Sequence, residues 1–165
     1  MSNALNSHFV GFRSGEVHFC LPHTTIEEIL PIAHLERPPG CPAILEGLLP
    51  LSGKLRPVMN LARLLDLPIH PIEKFTPMVI LKDSGRGLVL LVEAVSEVFA
   101  GDKLTWSSLD SKDSFNGCCY RVGRDEDHEW FELNLQGILT HQENKALESF
   151  QIAVEARAQS FISTS

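Results

Sequence analysis

Up to about residue 139, apolar residues recur in short runs, often alternating with polar or small ones. Each run stops at a glycine, proline or polar pair, which is the signature of strands joined by turns. Residues 8–13 and 16–21 predict a first hairpin about Ser14-Gly15, in which Val17, Phe19 and Leu21 alternate. After Pro22 and the polar His23-Thr24-Thr25, the run Ile26-Glu27-Glu28-Ile29-Leu30 predicts a turn followed by a strand. Closely spaced prolines make Arg37 to Pro42 a surface connection. The stretch from Gly47 to Leu61 predicts the central hairpin, with Ser52-Gly53 as its tight turn. Leu49, Leu51, Leu55, Met59 and Leu61 share odd positions and are assigned to one buried face, Leu48 and Val58 to the other. Pro50 and Pro57 lack an N–H and belong at an edge or a bulge. Leu61 to Leu65 predicts one helical turn, stopped by Pro68 and Pro71, and 67–76 a linker.

The pattern then begins again. Met78 to Lys82, a turn at Asp83-Ser84-Gly85 and Gly87 to Val92 predict another hairpin, followed by Ala94 to Phe99. Ile26-Glu27-Glu28-Ile29 matches Val95-Ser96-Glu97-Val98 at a shift of 69 positions, Gly47 is echoed by Gly117 at 70, and Asn60-Leu61 by Asn134-Leu135. Five features in the same order point to an internal duplication. Each copy is read as one small barrel lobe of about five strands, the first over 8–67 and the second over 76–139. The period changes at the C-terminus. Leu147, Phe150, Val154 and Phe161 fall on one helical face opposite Glu148, Gln151, Glu155 and Gln159, predicting a helix over 142–162. The expected fold is all-β, two five-stranded barrel lobes packed together with a C-terminal α-helix, and the expected state is a monomer.

Composition narrows the function classes. A chain of 165 residues that is 44% hydrophobic can bury a core, and its net charge of -7, with basic residues scattered, gives no footprint for nucleic acid or anionic lipid. Neither a signal peptide nor a membrane span is expected, since Met1 to Ser7 lacks the charged-then-apolar pattern and Glu93 interrupts the longest apolar stretch. Cys20, Cys41, Cys118 and Cys119 show no C-x-x-C spacing, so they read as small buried hydrophobes of a reduced, cytoplasmic protein.

No catalytic constellation emerges. The Gly47 to Lys54 segment places five residues between its glycines and Leu55 after its lysine, which fails a phosphate loop. The seven histidines show no i, i+4 pair and no zinc spacing with cysteine. No serine stands in a Gly-x-Ser-x-Gly elbow. The acidic run Asp125-Glu126-Asp127 lacks calcium-loop spacing. Metal, cofactor and enzyme activity are therefore not expected.

At the central hairpin, Gly-x-x-x-Leu-x-Gly-x-x-x-Pro-Val-x-x-Leu, preceded by Pro42 and Ile26-Glu-Glu-Ile29 and followed by Leu90 to Val98, resembles the CheW-like domain of bacterial chemotaxis coupling proteins. The likeness runs from residue 8 to about 140, making the chain one such domain. It implies two SH3-like five-stranded subdomains and a non-enzymatic adaptor. It also implies two partners, the cytoplasmic tip of methyl-accepting chemotaxis receptors and the regulatory domain of a CheA-like histidine kinase. Carried onto this sequence, the contact positions are Ile26, Glu28, Ile29, Gly47, Ser52 and Gly53, with Val95, Glu97 and Val98 added through the duplication. The chain departs from the family at Ser52, where an arginine is common, and at Asn60, where an aspartate is common. Both departures suggest a divergent or motility-specific system. Lys54 and Arg56, beside the Ser52-Gly53 turn on one strand face, are expected to supply the missing positive charge to a partner. A second reading, from another class, is a small-molecule sensor using the groove between the lobes.

Overall fold

The computed structural model describes residues 8–82, 87–110, 112–115, 117–139 and 141–163, without the side chains of 141–142 and 158–163. The expected turn at Asp83 to Gly85 and the helical-face assignments of Gln159 and Phe161 lie outside the described residues. The strands are β1 (His8–Ser14), β2 (Val17–Pro22), β3 (Ile26–Pro31), β4 (Leu45–Leu51), β5 (Lys54–Asn60), β6 (Pro77–Leu81), β7 (Val89–Leu91), β8 (Ala94–Ala100), β9 (Thr105–Ser108), β10 (Cys119–Arg124) and β11 (Glu129–Leu133). A one-turn helix, α1 (Leu61–Leu64), follows β5, and a long helix, α2 (His141–Ser163), ends the described chain. The fold is all-β with a C-terminal helix, as expected.

Two sheets form among the described residues, in the orders β8-β1-β2-β11-β10-β9 and β3-β6-β7-β5-β4. These orders correct the expected lobes at 8–67 and 76–139, because each lobe takes strands from both halves of the chain. The first lobe joins β1 and β2 to β8 through β11, and the second joins β3, β4 and β5 to β6 and β7. Sequence periodicity reveals a repeat, but it carries no information about which copy a strand edge pairs with.

The duplication itself holds to the level of register. Ile26↔Leu81, Glu28↔Ile80 and Ile29↔Val79 between β3 and β6 recur, 69 positions apart, as Val95↔Phe12, Glu97↔Gly11 and Val98↔Val10 between β8 and β1. Glu27 and Ser96 fall out of pairing at the same step, so both edge strands carry the same bulge. The parallel pair Val58↔Val89 has its counterpart in Glu132↔Cys20. The copy of β4 is β10, whose bulge at Tyr120 matches the one at Glu46 with a shift of 74. That shift aligns Gly47 with Arg121, so the proposed echo at Gly117 is a coincidence of spacing.

Among the described residues, three apolar clusters hold the halves together. Phe12, Phe19 and Leu21 meet Leu45, Leu48, Met59, Leu133, Leu147 and Phe150 in a core shared by both lobes and by α2. Leu49, Val58, Met78, Ile80, Val89 and Leu91 fill the second lobe. Phe9, Cys20, Leu104 and Trp130 fill the first, where Gly11 is required because a Cβ there would sit 2.4 Å from Trp130 Cζ3.

The faces of the central hairpin also need correcting. A two-residue turn pairs Leu51 with Lys54 and Leu49 with Arg56, so an odd residue on β4 shares a face with an even residue on β5. Leu49, Leu51, Arg56 and Val58 therefore face the second lobe's interior side, while Leu48, Leu55 and Met59 face the shared core. Pro50 lies on an edge strand, and Pro57 precedes the point at which β5 meets β7, so neither deprives the ladder of a donor.

Candidate interaction surface

The two edge strands β3 and β8 carry six of the expected contact positions. Ile26 and Val95 are half-buried and pack on the shared core. Beyond the bulge, Glu28 and Glu97 are exposed, and so are Ile29 and Val98, the latter 64% accessible. Each edge thus offers an apolar side chain beside a carboxylate. Bulge and charge together hinder casual strand addition to such an edge while leaving its side chains free to dock.

The hairpin tip is the other exposed feature. Ser52 (φ 52°) and Gly53 (φ 79°) both adopt the left-handed conformation, as a two-residue turn matching the twist of its strands demands. Ser52, Gly53 and Lys54 are exposed. Two expected contact residues are not available there. Gly47 is buried, with Leu35 Cβ 2.8 Å and Glu36 O 3.0 Å from where a Cβ would stand, so its place is dictated by the covering strand segment. Arg56 is buried and already engaged: Nη1 donates to Leu81 O at 3.1 Å, and Nη2 meets Glu27 Oε1 at 3.3 Å. The expectation that Arg56 joins Lys54 in a solvent-facing basic patch is therefore overturned, because the second lobe's interior face takes its guanidinium. The Arg56–Glu27 pair connects β5, below the hairpin tip, to the bulge of β3. The β8 contacts belong to the other lobe.

Sequence reading missed Glu27 and the capping role of Asn60. Asn60 Oδ1 accepts from Ala62 N at 3.0 Å as the N-cap of α1. Asn134 Oδ1 likewise accepts from Gln136 N at 3.1 Å, 74 positions later. The side chain at 60 is buried and turned onto its own backbone.

Between the lobes lies a groove lined by Arg13, Asn60, His70, Lys74, Thr76 and Glu93. Three of these side chains, Arg13, His70 and Glu93, are engaged with one another. Glu93 accepts from Gly15 N at 2.7 Å and pairs with Arg13 at 3.1 Å and His70 at 3.4 Å. Burial opposes ionisation of Glu93, but that N–H bond, with Arg13 and His70 beside it, outweighs the burial and holds the carboxyl below its ordinary range. In the first lobe, Glu132 is buried among Tyr120 and Arg121, with Arg121 Nε at 2.6 Å and the Tyr120 hydroxyl donating to the other oxygen. Burial first, then this carboxylate, pushes the Tyr120 phenol upward. Among the described residues no cluster of three His, Cys, Asp or Glu side chains is arranged to hold a metal ion, and no helix is long and apolar enough to cross a membrane.

The CheW-like domain family model matches residues 8–143. This chain belongs to the CheW-like family. The family's chemotaxis scaffolds have two barrel subdomains, as this chain does. Scaffolding protein TtCheW from Thermoanaerobacter tengcongensis has a similar structure, with a TM-score of 0.67 over 78% of this chain and 89% of that one, at 20% sequence identity. At that identity the likeness concerns the fold. A comparison with curated protein sequences gives no match. The family match ends within the first turn of α2, so the greater part of that helix lies beyond the matched region of this CheW-like chain.

Proposed function

We propose that this CheW-like chain is a non-enzymatic cytoplasmic adaptor that couples the cytoplasmic tip of methyl-accepting chemotaxis receptors to the regulatory domain of a CheA-like histidine kinase. The observation that carries the reading, together with family membership, is the pair of register-equivalent edge strands. They present Glu28-Ile29 on one lobe and Glu97-Val98 on the other, so one chain offers two docking edges of like chemistry. Non-obligate interfaces are built in this way, from a modest apolar centre with a polar border. Ser52, Gly53 and Lys54 add the exposed hairpin tip. Ser52 stands where the family's arginine would place a forked donor, which a hydroxyl cannot replace. A partner set differing from the standard one, as in a divergent or motility-specific array, follows from that loss. The small-molecule reading finds no specific support, since Arg13, His70 and Glu93 of the groove already engage one another.

The test is a pull-down, with titration calorimetry, against the host's chemotaxis-type kinase regulatory domains and receptor tips. Ile29→Asp and Val98→Asp should each weaken one partner by tenfold or more while leaving the melting temperature nearly unchanged, and Ser52→Arg should alter partner preference. Wild-type protein that captures no kinase domain or receptor tip at micromolar concentrations would overturn the adaptor reading.

A further inference from the structure

Four of the strand pairings join the two halves of the chain: β1 to β8, β2 to β11, β3 to β6 and β5 to β7. Within the first half, the hairpins β1–β2 and β4–β5 belong to different sheets. Each is therefore a two-stranded ribbon until the second half supplies its neighbours, and such ribbons are marginal in water. The first half must fold onto a second half, and the segment from Asp66 to Thr76 decides only whose. This connection has no regular structure, contains Pro68 and Pro71, and exposes Ile69, Ile72 and Phe75, the last 76% accessible. It is fastened by Leu67 N to Ala62 O, by Ile32 N to Thr76 O, and by His70 to Glu93 at 3.4 Å.

We infer that this connection is a hinge through which two copies of the chain exchange halves, giving a dimer in which each two-lobed unit combines residues 8–65 of one copy with residues 77–163 of the other. Every strand pairing and all three cores are kept in the exchanged form, so only the hinge conformation separates it from the monomer. The second copy is also the occupant that suits the exposed apolar hinge residues. In an exchanged dimer the two hinges run past each other, and Ile69, Ile72 and Phe75 of one cover those of the other. Single chains dominate in dilute solution, because a short flexible connection holds the halves at an effective concentration on the order of 1 mM. Refolding at about 10 µM then gives about 1% exchanged chain, and refolding at about 1 mM gives comparable amounts of both forms.

The test uses the full chain with cysteines at a surface pair that joins the halves, His8→Cys with Ala100→Cys on β1 and β8, in a Cys41→Ser background. The protein is unfolded in urea, refolded at about 10 µM and at about 1 mM, closed with a short thiol cross-linker and run on a denaturing gel. The single-chain product should dominate at the low concentration, and a product of twice the mass should make up a substantial share at the high one. Ile72→Ser with Phe75→Ser should reduce that share several-fold. Intrachain product alone at both concentrations would overturn the proposal, whether or not the native protein self-associates, since two unexchanged copies in contact would still cross-link within each chain. An interchain share unaffected by the hinge substitutions would overturn the hinge packing on which it rests.

Discussion

Among single residues, burial separates two neighbours that look alike in sequence. Lys54 and Arg56 share a strand face, but the first is in solvent and the second lies against Glu27 and the Leu81 carbonyl. Lys54→Glu should change stability by no more than about 0.5 kcal/mol. Arg56→Ala removes charge-assisted bonds and strands a buried carbonyl, so urea denaturation should show a loss of about 1.5 to 3 kcal/mol. Two other residues make the fold sensitive to acid. His18 packs against Trp130 and His128, at ring-centroid separations of 5.0 and 5.5 Å, and its Nδ1 is buried with no hydrogen-bond partner. Desolvation first, then the nearby His128 and Arg13, lowers its pKa below the ordinary 6.5, against an opposing pull from Glu97. The unfolded chain therefore binds a proton that the folded chain refuses. The contribution of His18 is complete above pH 6.5 and is lost as pH falls from there toward its folded value. Glu93, also depressed, contributes above its ordinary 4.5 and loses that contribution as pH falls through its folded value. The melting temperature should accordingly fall in two stages on acidification. His18→Phe should flatten the first stage, and Glu93→Gln the second.

The elements show what a sequence can and cannot disclose. The hairpins, the Ser52-Gly53 turn, the one-turn helix after Asn60 and the long C-terminal helix were all legible, because each is specified by local periodicity and by residues with special backbone freedom. The repeat was legible too, through Ile26-Glu27-Glu28-Ile29 and Val95-Ser96-Glu97-Val98. The exchange of strands between halves was not, since β3 offers the same apolar pattern to β6 as it would to a strand of its own half. The grouping of Leu55 and Met59 with Leu49 and Leu51 fails because a two-residue turn reverses parity between its strands, and the cover over Gly47, a contact position by resemblance, was not legible because a glycine shows nothing of what lies above it. Ile29 and Val98 were legible as candidates, as apolar residues next to carboxylates on short strands. Asn60 illustrates how an element reassigns a supposed functional residue. Asn60→Ala should cost about 1 kcal/mol through loss of the cap, whereas Asn60→Gln should lose the cap geometry without restoring partner binding. If calorimetry instead showed Asn60→Asp improving partner affinity many-fold, the residue would belong to the interface after all.

For the whole molecule, α2 tests whether the body is one cooperative unit. Most of the helix lies beyond the family-matched region, yet Leu147 (2% exposed) and Phe150 (8%) enter the core shared by both lobes, and Arg157 Nη1 reaches Pro39 O at 3.3 Å. Were the helix an appendage, substitutions along it would matter little. Because it plugs the seam between the lobes, truncating Leu147 should remove about 2 to 5 kcal/mol and truncating Phe150 about 3 to 5 kcal/mol. Either loss is a large part of the 5 to 15 kcal/mol that typically holds a domain together. Ile152, on the same helix but 66% exposed, provides the internal control: Ile152→Ala should stay within about 0.5 kcal/mol of the wild type. The measurement is urea denaturation followed at once by tryptophan fluorescence, which reports on Trp106 and Trp130 in the first lobe, and by backbone circular dichroism, which reports on both lobes. With one shared core the two signals should move together in Leu147→Ala, at a lower midpoint. Separated transitions would mean that the lobes unfold independently and that α2 braces only one of them.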